Sequence, residues 1–183
     1  MVGSRVTVFF STGATGGANW VAGAAGSGSA SAGGWSLGLT GDSFSSAWTL
    51  TNGNGPSIVG FSFDGVGGNT VFDIVGSPEN SPGSANGNAF GDADASAGVT
   101  FAAAAYSNRL TIGGVFYDDL YTLMTVNFTG ALGNGTFQFT ADTDNADAAR
   151  GGITPGIPEP QTYALMLAGL GLMGYFVRRR RQA

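Results

Sequence analysis

The sequence predicts an all-β chain: an antiparallel β-sandwich of about eight strands, followed by a single C-terminal α-helix of the transmembrane type. Along residues 1–150, short apolar runs that alternate with polar residues are separated by Gly, Asn, Asp and Ser turns. Residues 162–177, by contrast, form one uncharged apolar run that four arginines follow directly. We therefore divide the chain into a β-sandwich over 1–150, a linker over 151–157 and a distinct segment over 158–183.

The predicted strands follow from the spacing of the apolar residues. Residues 5–10 (RVTVFF) are rich in β-branched and aromatic residues, which favour a strand. In the run 46–52, Trp48 and Leu50 share one face while the threonines between and after them share the other. The remaining predicted strands lie within residues 35–39, 57–65, 69–75, 98–107, 119–130 and 135–142.

Some of these runs carry more specific expectations. Val59, Phe61 and Phe63 alternate and are expected on one face, before a turn at Asp64-Gly65. Even-numbered residues from Leu120 to Phe128 should likewise share a face, and Phe137 and Phe139 should point inward.

Two stretches of Gly-rich sequence are predicted to connect strands. Gly-Asn-Gly in the connection 130–135 predicts a β-hairpin between the last two runs. Residues 13–34 are mostly Gly, Ala and Ser, offer little to bury, and are predicted to form a loop.

The residue types that the chain lacks exclude several classes of chemistry. It contains no His, no Cys and no Lys. A Ser-His-Asp triad, a thiol nucleophile, a Cys/His zinc site, a P-loop lysine and a Schiff base are therefore all excluded. We expect no enzymatic activity.

Charge is strongly segregated along the chain. Residues 1–157 contain three arginines and eleven acidic residues, a net charge of −8. A body with so few cations cannot neutralise phosphates, so nucleic-acid binding is not expected. The other four arginines follow an apolar run and point to a membrane instead. This basic cluster, which is expected to set the membrane topology, consists of Arg178, Arg179, Arg180 and Arg181.

One acidic loop is a weak candidate for a metal site. Asp142, Asp144 and Asp147 are closely spaced, and carboxylates in a loop can bind Ca²⁺. The spacing does not fit an EF-hand, because the fifth and sixth positions are Ala146 and Asp147. The alternative is a solvated acidic turn. No other cofactor is expected.

Two further groups of residues are candidates for a binding or catalytic site. Asp118-Asp119 could be the carboxylate pair of a hydrolase, but adjacent residues of a strand point to opposite faces. Trp20, Trp35 and Trp48 could form a sugar-stacking platform. Large aromatics of a β-sandwich are more often core residues, and we favour that for Trp35 and Trp48.

The C-terminal apolar run has the properties of a short membrane anchor. Thr162–Val177 would span about 24 Å as a helix, against a hydrocarbon core of roughly 30 Å. A run of this length also suits a buried helix, but its terminal position after a proline-bearing linker favours the membrane. Flanking arginines can extend a short span and would place the body outside the cytoplasm. The predicted anchor residues are Tyr163, Leu165, Leu167, Leu170, Leu172, Tyr175, Phe176 and Val177.

The whole segment resembles the PEP-CTERM sorting signal of Gram-negative bacteria. Pro158-Glu159-Pro160, the apolar helix and the cluster Arg178–Arg181 match the three parts of that signal in order. The resemblance implies recognition by exosortase, a transpeptidase-like membrane enzyme, and cleavage near Pro158-Glu159-Pro160. It also implies transient contact with membrane lipid, export to the cell surface or extracellular matrix, and an association with exopolysaccharide and biofilm.

The body more weakly resembles uncharacterised all-β ectodomains found with this signal, through the phrases WTLTN, NTVFDIV, SPGSANGNAF and FTADTDNAD. That resemblance brings no activity. The alternatives to a non-enzymatic surface protein are an adhesin that binds calcium or carbohydrate and, less favoured, a secreted hydrolase. Residues 1–10 lack the apolar stretch of a secretion signal, so we expect the natural start upstream of Met1 or a truncated chain.

Overall fold

A computed structural model describes residues 1–74, 87–93, 98–101, 104–112 and 115–146; the side chains of 112 and 115–118 are not described. All of these residues belong to one compact unit, Met1–Ile153. They form two antiparallel sheets, so the all-β prediction is confirmed.

The first sheet has eight strands, six of which lie side by side. Their order across the sheet is β14 (Asp142–Asn145), β8 (Thr70–Asp73), β12 (Val115–Leu132), β7 (Ile58–Asp64), β1 (Arg5–Phe10) and β2 (Thr15–Asn19). Two further strands also pair with β12, namely β10 (Thr100–Phe101) and β11 (Ala105–Ile112).

The second sheet has six strands. Their order is β3 (Val21–Ala22), β4 (Ser27–Ala32), β5 (Trp35–Thr40), β6 (Trp48–Asn52), β13 (Gly135–Thr140) and β9 (Gly91–Asp92). Inward side chains of both sheets join one hydrophobic cluster, which is the packing of a β-sandwich. A smaller cluster, formed by Val71, Leu110, Leu120 and Ala146, lies around β8 and the start of β12.

The alternating pattern is confirmed in most of the predicted strands. Trp48 and Leu50 are buried while the threonines beside them are half-buried, and Phe137 and Phe139 are fully buried. Trp35 is buried in the core, as favoured from the sequence.

The expected burial of Val59 is wrong because β7 contains a β-bulge. Phe9 pairs with Gly60 and Phe10 pairs with Ile58, so Val59 is an extra residue with no partner on β1. The bulge reverses the alternation at this point. Ile58 is therefore buried and Val59 only half-buried.

The predicted loop over 13–34 is also wrong, since this stretch contains β2, β3 and β4. Two of its strand glycines, Gly16 and Gly28, are covered by tryptophan side chains from outside their own strands. A Cβ at Gly28 would overlap the indole of Trp20, and one at Gly16 would crowd that of Trp35. Apolar surface that these strands cannot supply themselves thus comes from tryptophans packed on their glycines.

The hairpin predicted at the Gly-Asn-Gly sequence is wrong as well. Gly133 and Asn134 carry the chain from β12 in one sheet to β13 in the other, and these two strands do not pair. The buried side chain of Asn52 holds this corner: its amide group donates hydrogen bonds to the carbonyl oxygens of Leu132 and Pro56, both at 3.1 Å. The turn residues were identified correctly, but their partner strand was not.

The strand count was predicted too low, because fourteen strands lie within the described residues. No α-helix long and apolar enough to cross a membrane occurs in this part of the chain.

The predicted tail lies outside the described residues. This applies to the linker over 151–157, to the sorting motif and to the helix over 162–177. It applies equally to the predicted basic cluster of Arg178, Arg179, Arg180 and Arg181. The membrane anchor and the orientation that this cluster would set therefore stay predictions.

The close contact between Gly28 and Trp20 gives the first testable prediction. Gly28→Ala should lower the free energy of unfolding by about 1–3 kcal/mol, because a packed indole must move to make room. Urea denaturation of the full chain measures this. The matched control is Gly38→Ala on the neighbouring strand, where the new Cβ would lie 3.7 Å from its nearest neighbour. The control should be neutral or stabilising, and equal losses in both variants would contradict the prediction.

Candidate functional site

The described residues bring together one cluster of carboxylates, at the end of the eight-stranded sheet where β14 pairs with β8. Asp142 lies directly opposite Asp73 in this antiparallel pair, and Asp144 lies opposite Val71. Opposed residues and residues two apart share a face of a sheet. Asp73, Asp142 and Asp144, which we call the acidic cluster, therefore lie on one face.

The acidic cluster is compact and largely shielded from water. One carboxylate oxygen of each residue lies within 4.8 Å of those of the other two. Asp73 is fully buried, Asp142 is 7% exposed and Asp144 is half-buried. Gly87 lies against the carboxylate of Asp73, so close that a Cβ there would overlap it.

Hydrogen bonds fix the position of Asp142. Its Oδ1 accepts a hydrogen bond from the Ser43 hydroxyl at 2.9 Å and another from the Thr143 backbone N–H at 2.7 Å. Ser43 comes from the loop between β5 and β6, so this loop connects the six-stranded sheet to the cluster. The backbone N–H of Asp142 also donates to the carbonyl oxygen of Asn88 at 2.9 Å.

Burial raises the pKa of Asp142 above its ordinary value, and the nearby charges of Asp144 and Asp42 raise it further. The hydrogen bonds from Ser43 and Thr143 act in the opposite direction, because they stabilise the ionised form. The net effect is a carboxyl group that takes up a proton more readily than a solvated one.

Such an arrangement can hold either a cation or a shared proton. Calcium binds carboxylate oxygens at about 2.3–2.6 Å, so two oxygens on one ion lie at most about 5 Å apart. The spacing in the acidic cluster meets that limit. A proton bound between neighbouring carboxylates relieves the same repulsion without an ion.

The sequence identified part of this cluster. Asp142 and Asp144 were candidates, while the third predicted residue, Asp147, lies outside the described residues. Asp73 was missed because it lies far away along the chain. A signal did exist: Asp73 is an acid within the apolar run TVFDIV, and such a residue needs a buried polar partner.

The other candidates do not assemble into a site. Asp119 is buried at 3% exposure, and the side chain of Asp118 is not described. Trp20, Trp35 and Trp48 are all buried, so they do not offer a surface platform for sugars. Trp20 and Trp48 instead pack against each other in the core, with ring centroids 5.3 Å apart.

Comparison with protein families places a known signal in the tail. Residues 156–181 match the family model described as the PEP-CTERM protein-sorting motif. The chain carries a PEP-CTERM motif. The match includes Pro158-Glu159-Pro160, the apolar run and all four arginines from Arg178 to Arg181, so the resemblance noted from the sequence is confirmed. Comparisons with curated proteins and with solved structures found no match.

The PEP-CTERM motif and the acidic cluster lie in different parts of the chain. The motif falls wholly outside the described residues, whereas the cluster is built from β8 and β14. The motif supports the view that the chain is a substrate of exosortase and is exported towards the cell surface. It carries no information about the chemistry of the β-sheets.

The raised pKa of Asp142 predicts how one substitution changes the pH dependence of stability. The folded state binds this proton more tightly than the unfolded chain, so its stabilising contribution is present at acid pH and lost as pH rises through the folded pKa. Asp142→Asn removes the charge but keeps an oxygen that accepts both hydrogen bonds. We expect it to be more stable than the wild type near neutral pH by roughly 1 kcal/mol, with the difference shrinking towards acid pH.

Thermal denaturation of the full chain from acid to neutral pH measures this effect. Asp64→Asn is the matched control, because Asp64 lies on β7, away from the acidic cluster, accepts a hydrogen bond from the Val66 N–H and lies opposite Arg5. Its charge faces an attractive neighbour, so its removal should bring no gain at neutral pH. Parallel pH profiles for Asp142→Asn and wild type would contradict the prediction.

The calcium hypothesis makes a separate prediction. If the acidic cluster holds Ca²⁺, about millimolar Ca²⁺ should raise the Tm of the full chain above its value in chelator, since a ligand that binds only the folded state stabilises it. The same titration of Asp142→Asn should give a smaller rise. A wild-type Tm that does not respond to Ca²⁺ would reject the hypothesis and leave the shared proton.

Proposed function

We propose that this chain is a non-enzymatic, exported protein of the cell surface or extracellular matrix, and that an exosortase recognises and cleaves its tail. The observation that carries the proposal is the PEP-CTERM match over residues 156–181. In this proposal the β-sheets are the part that remains outside the cell after the tail is removed.

Each part of the tail has a distinct physical role in the proposal. Pro158-Glu159-Pro160 supplies an extended recognition element, because proline cannot continue a helix and disfavours helix in the residue before it. The apolar run holds that element at the membrane surface through contact with lipid. Arg178–Arg181 remain on the cytoplasmic side and so fix the orientation.

The composition of the body suits an extracellular location after processing. Residues 1–157 carry a net charge of −8 and are rich in Gly, Ser and Asn. An acidic, hydrated surface stays soluble in a glycan-rich matrix. Association with exopolysaccharide and biofilm is part of this proposal.

An adhesin is the second candidate function, and the acidic cluster favours its calcium-binding form. β8 contributes Asp73 to the two acids of β14, so three carboxylates meet although only two are close in sequence. The calcium titration described above tests this candidate independently of sorting.

Processing in cells tests the proposed function. The full chain, with an added leader peptide and an epitope tag after Ala183, should lose the tag in a bacterium that has an exosortase. In a matched strain without the enzyme, the tag should stay in the membrane fraction. Glu159→Ala should also keep the tag, because it removes the charged centre of the recognition element.

Gln161→Ala is the control for this experiment, since it changes the residue directly after Pro158-Glu159-Pro160 and should be processed normally. The proposal fails if Glu159→Ala is processed like the wild type. It also fails if the wild-type chain is found uncleaved in the cytoplasm.

A further inference from the structure

The outer face of the six-stranded sheet carries no charged and no large apolar side chain on its four longest strands. One row across β4, β5, β6 and β13 consists of Ser29, Gly38, Thr49 and Gln138, which are paired in register. The amide of Gln138 donates a hydrogen bond to the hydroxyl of Thr49 at 3.4 Å. This surface, which we call the hydroxyl face, can both donate and accept hydrogen bonds.

The next row repeats the same chemistry. It contains Ser31, Ser36, Thr51 and Thr136, again paired across the four strands. Adjacent strands lie about 4.8 Å apart, so the hydroxyl groups form a regular array.

The corresponding face of the eight-stranded sheet is different, because it carries charge. Arg5 lies opposite Asp64 in the pairing of β1 with β7, and Arg109 lies on β11. The chain as a whole is acidic, with a net charge of −5. A neutral face on an acidic protein fits an uncharged partner, since a polyanion would be repelled and a polycation would be drawn to the acids elsewhere.

Gly38 lies at the centre of the hydroxyl face and has no evident role in the fold. Among the described strand glycines, the others have a positive φ or a neighbour that a Cβ would crowd. At Gly38, φ is not positive and a Cβ would sit 3.7–3.9 Å from its neighbours, an ordinary contact. The pairing of β5 on both sides is continuous, so there is no bulge either.

A glycine in a central strand weakens the sheet by roughly 0.5–1 kcal/mol relative to alanine. When neither a bulge nor a close packing contact requires it, a strand glycine often marks a place where a ligand or another backbone approaches closely. A groove of about 380 Å³ lies at Gly38, and its lining includes Ser29, Thr49 and Ala47.

We propose that this groove binds a strand of uncharged polysaccharide, whose hydroxyl groups exchange hydrogen bonds with those of Ser29 and Thr49. Its volume is at the lower end of the roughly 300–1,000 Å³ typical of small-ligand clefts, which suits a few sugar units rather than the surface of a folded protein. The proposal deepens the proposed association with exopolysaccharide and rests on it, but binding by the purified chain and processing of the tail are measured separately and can fail separately.

Affinity electrophoresis of the full chain in mild non-ionic detergent tests the proposal. The gels contain dextran, a mixed-linkage β-glucan or a galactomannan, with alginate as the charged comparison. We expect at least one neutral polysaccharide to retard the chain and alginate to leave it unretarded. Gly38→Val, which fills the groove, should weaken that binding by about ten-fold or more.

Two variants separate binding from stability. Gly38→Val should keep or raise the Tm, because valine is the better strand former; Thr49→Val removes one hydroxyl at nearly constant shape and should also weaken binding. Ser62→Val, at a half-buried position of β7 in the other sheet, is the matched control and should bind normally.

Several outcomes would overturn the proposal. One is a lack of retardation by all three neutral polysaccharides, and another is equal retardation by alginate. A third is unchanged binding by a folded Gly38→Val. Sedimentation showing that the wild type dimerises and Gly38→Val does not would assign the groove to a second copy instead.

Discussion

The contacts of the Trp48 indole hold the two sheets together and position the acidic cluster. The indole belongs to β6, stacks on Phe139 of the same sheet, and meets Phe63 of the other sheet edge-on at 5.6 Å between ring centroids. Its N–H donates a hydrogen bond of 2.8 Å to the carbonyl oxygen of Ala141. Ala141 is the single residue between β13 and β14, so this bond fixes the point where the chain passes from one sheet to the other. Asp142 follows immediately and takes its place opposite Asp73.

Strands were predicted well from the sequence where one face of the strand is buried and the other is more exposed, because apolar and polar residues then alternate along the strand. Trp48 and Leu50 illustrate this. The strand prediction failed over 13–34, because glycine contributes no side chain to the alternating pattern. The apolar side chains that cover these glycines come from outside the strand, as Trp35 does for Gly16. Composition identified the Gly-Asn-Gly turn, but a turn does not state which strand follows it into which sheet. That choice depends on Asn52, 80 residues away from the carbonyl of Leu132 that it binds.

Only the part of the acidic cluster whose residues are close in sequence could be predicted. Asp142 and Asp144 stand two residues apart and so share a face of any strand, which the sequence shows. Asp73 joins them through strand pairing, a non-local event that periodicity cannot report. The raised pKa of Asp142 depends on burial of a kind that neighbouring residues do not reveal. The tail, unlike the acidic cluster, could be predicted from the sequence alone, because the PEP-CTERM motif is one continuous segment and its parts follow each other in a fixed order.

The acidic cluster and the hydroxyl face differ in how far the fold accounts for them. β14 is an edge strand, and charged residues on an edge strand oppose pairing with another chain. Asp144 therefore has a structural reason to be present whether or not an ion binds. Asp142 has a different one: its carboxylate accepts the hydrogen bond from Ser43 that ties the β5–β6 loop to the cluster, although its buried charge is expected to lower stability near neutral pH. Gly38 lies in β5, between two paired strands, where it has neither a conformational nor a steric reason and lowers stability. A residue that lowers stability and has no structural reason to be present points to function more directly than one that has such a reason. For that reason the proposal for a ligand rests on the neutral face and not on the acids.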